Sequence, residues 1–98
     1  VWYNVLGDRM KIIKISALWC PACLITNKAI DKIKEEQNIE VENLDYDFDE
    51  DEVKKYNVGT TLPVLIFMDQ DKELFRLIGE KNYEEIMKAV GDVKWKKY

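Results

Sequence analysis

The stretch "ALWCPACLIT", residues 17–26, decides how this chain folds. Cys20 and Cys23 stand three apart, with Trp19 ahead of them and Pro21–Ala22 between them, and they are the only two cysteines in 98 residues. Before them, "KIIKISAL" (11–18) is short, β-branched and apolar, the pattern of a buried strand. After them, "PACLITNKAIDKIKEEQ" (21–37) reads as a helix. Pro21 suits the first turn, where a missing N–H costs nothing. Ile25, Ala29, Ile30 and Ile33 fall at helical spacing on one face, with Lys28, Asp31, Lys32 and Glu35 left for solvent. A strand therefore runs almost directly into a helix, and the cysteine pair sits at the join.

The same reading extends along the chain. "IEVENLDY" (39–46) is a second strand, and "DFDEDEVKKYN" (47–57) places acids before bases, as a short helix prefers given its dipole. "PVLIFM" (63–68) is a hydrophobic strand expected at the centre of the sheet. The polar link "MDQDKE" is a turn, and "ELFRLIG" (73–79) is a strand nearer an edge. "NYEEIMKAV" (82–90) is the last helix, opened by an Asn82–Glu85 capping box and followed by Lys94, Lys96 and Lys97 near its negative end. The order β-α-β-α-β-β-α calls for parallel pairing across the helical crossovers and an antiparallel hairpin at the short link. It describes one α/β domain over residues 1–98, with a small mixed sheet and helices on both faces. Residues 1–9 are read either as a leader ahead of Met10 or as an extra edge strand.

Composition narrows the classes of function. Hydrophobic residues make up 47% and charged residues 35%, an ordinary globular balance. The net charge of −4 gives no electrostatic reason to expect nucleic acid or an anionic membrane as partner. No apolar run approaches the roughly 20 residues that span a bilayer. "VWYNVLGDRM" lacks the basic start and apolar core of a signal peptide. The absence of histidine removes the commonest general base and metal ligand. "DYDFDEDEVKKY" (45–56) has the alternating acids of a calcium loop, but Glu50 stands where glycine is required and Tyr56 where glutamate is required. It reads as a solvated acidic helix start.

Three uses of the cysteines are open on the residues alone. A structural disulfide is one, although so short a closed loop stabilises little. A zinc site is the second; it needs about four ligands and would have to be shared between two chains. The third is a redox centre. Unpaired N–H groups and the positive end of the helix dipole at residue 21 favour the thiolate of Cys20, while Cys23 lies a turn further in and is more shielded. That spacing supplies an attacking thiolate and a resolving thiol on one helix turn.

With the rest of the pattern, the chain resembles the thioredoxin superfamily. The resemblance rests on "WCPAC" between strand and helix, on "KKYNVGTTLP" running into "TLPVLIF", and on "RLIGE". It implies a three-layer α/β/α sandwich and a thiol-disulfide oxidoreductase, most closely a protein disulfide reductase of the cytoplasm. An exported thiol-disulfide module, or a redox-sensing or binding module without turnover, is the alternative. It further implies Cys20 as nucleophile and Cys23 as resolving cysteine. Trp19, Pro21, Ala22, Leu62, Pro63 and Gly79 would line a substrate groove, with Pro63 cis and the Leu62 backbone left to pair with an extended substrate. No bound cofactor or metal is implied beyond the redox-active disulfide. The partners implied are protein disulfides and an external dithiol or reductase, acting on a monomer.

Two departures matter. Thioredoxin buries an acid six positions before the first cysteine, and here that position is Lys14. Lys14 is a candidate for proton handling, either in an ion pair with Glu42 or Asp45 or as a depressed, neutral amine; the alternative is a side chain reaching a solvated edge. The Pro-Ala dipeptide between the cysteines differs as well and tunes thiolate stability. The expected potential is roughly −200 to −270 mV.

Overall fold

The computed structural model describes residues 10–37 and 39–96, with side chains described up to residue 91. The elements are β1 (Met10–Ser16), α1 (Pro21–Gln37), β2 (Glu40–Asp45), α2 (Glu50–Lys54), β3 (Val64–Asp69), β4 (Lys72–Ile78) and α3 (Tyr83–Lys96). They form a four-stranded sheet in the order β2-β1-β3-β4. β1 pairs in parallel with β2 across the α1 crossover, and β3 is antiparallel to both β1 and β4. The two inner strands are the two near-continuous apolar runs, Ile12–Ile15 (broken only by Lys14) and Val64–Phe67, because only an inner strand is covered on both faces. The reading of 1–9 as a leader or edge strand lies outside the described residues.

Two cores flank the sheet. Met10, Ile12, Leu65 and Phe67 meet Ala29, Ile30 and Ile33 of α1 and Ile86 and Val90 of α3 on one face. Ile13, Ile15, Val64 and Ile66 meet Val53 of α2 on the other. The alternation of period two along β1 and β3 sends successive residues to opposite cores, which makes three layers. The β3–β4 hairpin closes Asp69 against Lys72, with Gln70 at φ 59, and a register shift follows at Phe67/Met68. Phe67 and Phe75 stack at 4.4 Å. α3 opens on the expected reciprocal box: Asn82 Oδ1 accepts from the Glu85 N–H at 2.8 Å, and Glu85 Oε1 from the Asn82 N–H at 3.0 Å.

Four expectations are corrected. β1 stops at Ser16, two residues early, because Ala17–Trp19 form a turn whose Ala17 carbonyl accepts the Cys20 N–H at 3.2 Å. Ile25 is not on the buried face: it is 48% exposed, and Thr26 at 0% takes the inward position. The inward stripe of α1 runs Cys23, Thr26, Ala29, Ile30, Ile33, so Ala29, Ile30 and Ile33 face inward as expected and only the first position moves by one residue. α3 continues through Gly91 to Lys96, so Lys94 and Lys96 lie within the helix. A single glycine costs about 1 kcal/mol in a helix, which a docked helix tolerates. Lys14 is the fourth: it is only 8% exposed, on an inner strand, and reaches no solvated edge.

Candidate functional site

The site is built where β1 turns into α1. Ala17 and Cys20 are each 7% exposed and Cys23 is 1% exposed, and all three belong to the core on the α2 side together with Leu62. The Cys23 N–H donates to the Cys20 carbonyl at 3.2 Å, winding the first turn of α1 so that both sulfurs share one end of it. Both cysteines are free. Burial, then a hydrogen bond with Cys20, push the Cys23 thiol up to about 11; a backbone hydrogen bond to Ala17 and the charge of Lys14 act the other way. The inner sulfur is therefore held as a thiol at neutral pH.

The residues around the pair come from four parts of the chain. Leu18 is 88% and Trp19 59% exposed, so Trp19 is not core. Its indole N–H donates to Asp47 Oδ2 at 2.7 Å and its ring meets Tyr46 edge-on, with centroids 6.4 Å apart. These two partners were not legible in advance; they depend on the β2–α2 loop folding back over the turn. That loop is set by its own acids. Asp45 Oδ1 accepts from the N–H groups of Asp47 and Phe48, and Asp49 Oδ2 from that of Asp45. Two carboxylates of the calcium-like pattern, those of Asp45 and Asp49, are thus occupied with backbone. Beside Trp19's partners, Tyr46, Asp47, Glu50, Val53, Lys54, Asn57 and Val58 enclose a groove of about 440 Å³.

Pro21 is exposed and Ala22 half-buried at the helix start. Leu62 and Pro63 are buried, and the bond between them is cis. Gly79 is tied to them: its N–H donates to the Pro63 carbonyl at 2.9 Å. Its φ of +93 suits glycine. One further contact was missed by sequence reasoning. Thr26 Oγ1 accepts from the Lys81 N–H at 3.0 Å and donates to the Lys81 carbonyl at 3.2 Å, clasping the cysteine helix to the segment after Gly79.

Lys14 makes no ion pair with Glu42, whose carboxylate takes Lys11 at 3.3 Å. The register explains this. Glu42 lies opposite Ile13, on the face away from Lys14, which is opposite Asn43. Asp45 is committed to its loop, as described. Burial holds the Lys14 ammonium below the ordinary lysine range; Asp31 and Cys23 oppose the effect and Lys34 adds to it.

This is a mixed α/β/α sandwich with a cysteine pair at the N-terminus of its first helix, the thioredoxin-like fold. Residues 3–93 match the family described as Thioredoxin, and the chain belongs to that family. A search of curated proteins finds no match. Among solved structures the chain is similar to Fasciola hepatica thioredoxin, at 27% identity and a TM-score of 0.73 over 89% of this chain and 83% of that one. It is similar to thioredoxin-2 of the malaria parasite at 20% identity and a TM-score of 0.77, over 88% and 84% of the two chains. It is also similar to a structure of thioredoxin f2 in complex with ferredoxin:thioredoxin reductase, at 20% identity and a TM-score of 0.70, over 91% and 81%. The last two likenesses are of fold.

Proposed function

We propose that this chain is a thiol-disulfide oxidoreductase that reduces disulfides in proteins, with Cys20 as nucleophile and Cys23 as resolving thiol. The observation that carries this reading is the inequality of the two sulfurs. Cys20 sits at the mouth of the turn beside exposed Trp19, while Cys23 is 1% exposed and kept protonated by burial, with its thiol near 11. In the first step the Cys20 thiolate attacks a substrate disulfide, forming a mixed disulfide and releasing one substrate thiolate. In the second, Cys23 gives up its proton and attacks Cys20. The Cys20–Cys23 bond forms, the Cys20–substrate bond breaks, and the second substrate sulfur leaves with the electron pair and takes up a proton. Two electrons pass to the substrate. An external dithiol or a reductase restores the pair, and no bound cofactor enters the cycle.

Leu18, Trp19 and Pro21 are all exposed around Cys20 and offer an apolar seat for a protein substrate. Leu62 precedes β3, and its backbone is assigned to an extended substrate segment. Ala22, Pro63 and Gly79 complete the floor. A reductase of protein disulfides belongs in a reducing compartment, so the cytoplasm is the setting proposed.

The test is catalysed reduction of insulin with dithiothreitol as electron source. Cys20→Ser abolishes it, and Cys23→Ser accumulates a mixed disulfide seen by mass. Reduction that persists in Cys20→Ser refutes the assignment. A glutathione redox titration is expected to give a midpoint of roughly −200 to −270 mV.

A further inference from the structure

Among the described residues Lys14 is the buried cation, 8% exposed on an inner strand. It shares strand parity with Met10 and Ile12, which pack under α1 and α3, so it points toward the same layer. The charges that act on it, those of Asp31, Cys23 and Lys34, all belong to α1. On that helix Cys23, Asn27 and Asp31 follow one another at intervals of four and stack along one stripe. Asn27 Oδ1 is buried there with no hydrogen-bond partner among the described residues, an acceptor set between the thiol and the carboxylate. Among the described residues, no titratable group of the other elements packed around it acts on Lys14. Its cross-strand neighbours are Asn43 and Leu65, and α3 meets this face with Ile86 and Val90. Asp45, further along β2, is held by its loop, and Glu42 lies on the opposite face.

We propose that the Lys14 ammonium is the counter-charge under which Cys23 ionises in the resolving step, so that this chain promotes resolution with a buried cation rather than with a buried carboxylate base. The proposal rests on the disulfide-exchange reading above. In the resting dithiol, the hydrogen bond and the charge of Cys20 both oppose ionisation of Cys23. Once Cys20 is bonded to substrate those two effects are gone, and burial is set against the Ala17 backbone bond and Lys14. The net reaction is balanced: Cys23–SH and Cys20–S–S–R give Cys20–S–S–Cys23 and R–SH. Lys14 enters and leaves as ammonium, making it a positioning residue.

The effect has a definite size. An opposite charge at close range is worth about one pKa unit or more, so removing it cuts the Cys23 thiolate at neutral pH about tenfold. The more basic thiolate that remains is about threefold more nucleophilic, because reactivity rises with a Brønsted slope of about 0.4–0.5. Resolution therefore slows by only about three- to fourfold. The cleaner readout is ionisation itself, followed by thiolate ultraviolet absorbance of Cys23 in the Cys20→Ser background. Lys14→Met is expected to raise the midpoint by about one pH unit, Lys14→Glu to raise it further, and Lys14→Arg to leave it nearly in place. Melting curves establish that each variant is folded, and Lys14→Gln stands in for any that is not. Midpoints for Met, Gln and Glu that coincide with that of Lys overturn the proposal, as does a folded Arg variant that moves as far as Met. Failure of the wild-type chain to reduce insulin overturns the function instead, and the titration still decides whether Lys14 and Cys23 are coupled.

Discussion

Replacing Thr26 by valine tests the clasp between the cysteine helix and the segment after Gly79. The side chain is fully buried, and its hydroxyl both accepts from the Lys81 N–H at 3.0 Å and donates to the Lys81 carbonyl at 3.2 Å. Valine has nearly the same shape, so no cavity opens, and the change is confined to two hydrogen bonds. Each such bond contributes about 0.5–1.5 kcal/mol, and a buried partner left unpaired costs about 1–3 kcal/mol. Lys81 is only half-buried and both hydrogen bonds are part-buried, so the lower ends apply. The expected loss is about 2 kcal/mol in all. At the heat of unfolding of a domain this size that is a fall in Tm of about 8–16 °C. In urea it is a midpoint shift of about 1 M with unchanged slope. Thr26→Ser keeps both bonds and loses one methyl group, so it should cost about half as much. A valine variant within about 0.5 kcal/mol of the parent, or a serine variant less stable than the valine one, refutes the argument that the hydroxyl and not the methyl makes this contact.

Other expectations follow from single features. Asn82→Ala removes half of the reciprocal box at the start of α3 and should cost about 1 kcal/mol in denaturant unfolding. Gly79→Ala should cost about 1–2 kcal/mol through the backbone alone. A Cβ there would meet Thr61 Cγ2 at 3.9 Å and Lys81 Nζ at 4.0 Å, ordinary contacts, so the strain lies in the φ of +93. Reduced protein should lose stability as pH rises from about 9 to about 11, because Cys23 ionises more readily unfolded than folded. The folded state binds the extra proton in that window, the slope is therefore negative, and it should be missing from Cys23→Ala in pH-dependent urea titrations. Trp19→Phe removes the 2.7 Å bond to Asp47, is expected to leave stability within about 0.5 kcal/mol, and should change insulin reduction by raising KM more than it lowers kcat.

Much of this protein was legible from local chemistry. The order of elements, the bounds of α1, the cysteine pair at its start and the box at the start of α3 are all short-range matters. A proline at a first turn, an Asn with a Glu three on, and a β-branched run between polar links act on neighbours within a turn or a hairpin. What lay out of reach depended on which residue stands opposite which. Period alone offered Ile25 for the core, yet Thr26 is buried, because a polar backbone at Lys81 arrives from 55 residues away and needs a hydroxyl. Glu42 was a reasonable partner for Lys14 until the register put it opposite Ile13, on the other face. A one-residue difference in parity reverses every side chain of a strand, and parity between strands is set by packing, not by composition. The sequence by itself thus determined the motif, the helix that carries it and the sulfur that lies deeper. Only the tertiary structure decided that Lys14 is enclosed under the helix that carries that sulfur, because enclosure requires β2 on one side of β1, β3 on the other, and α1 laid across the face they share.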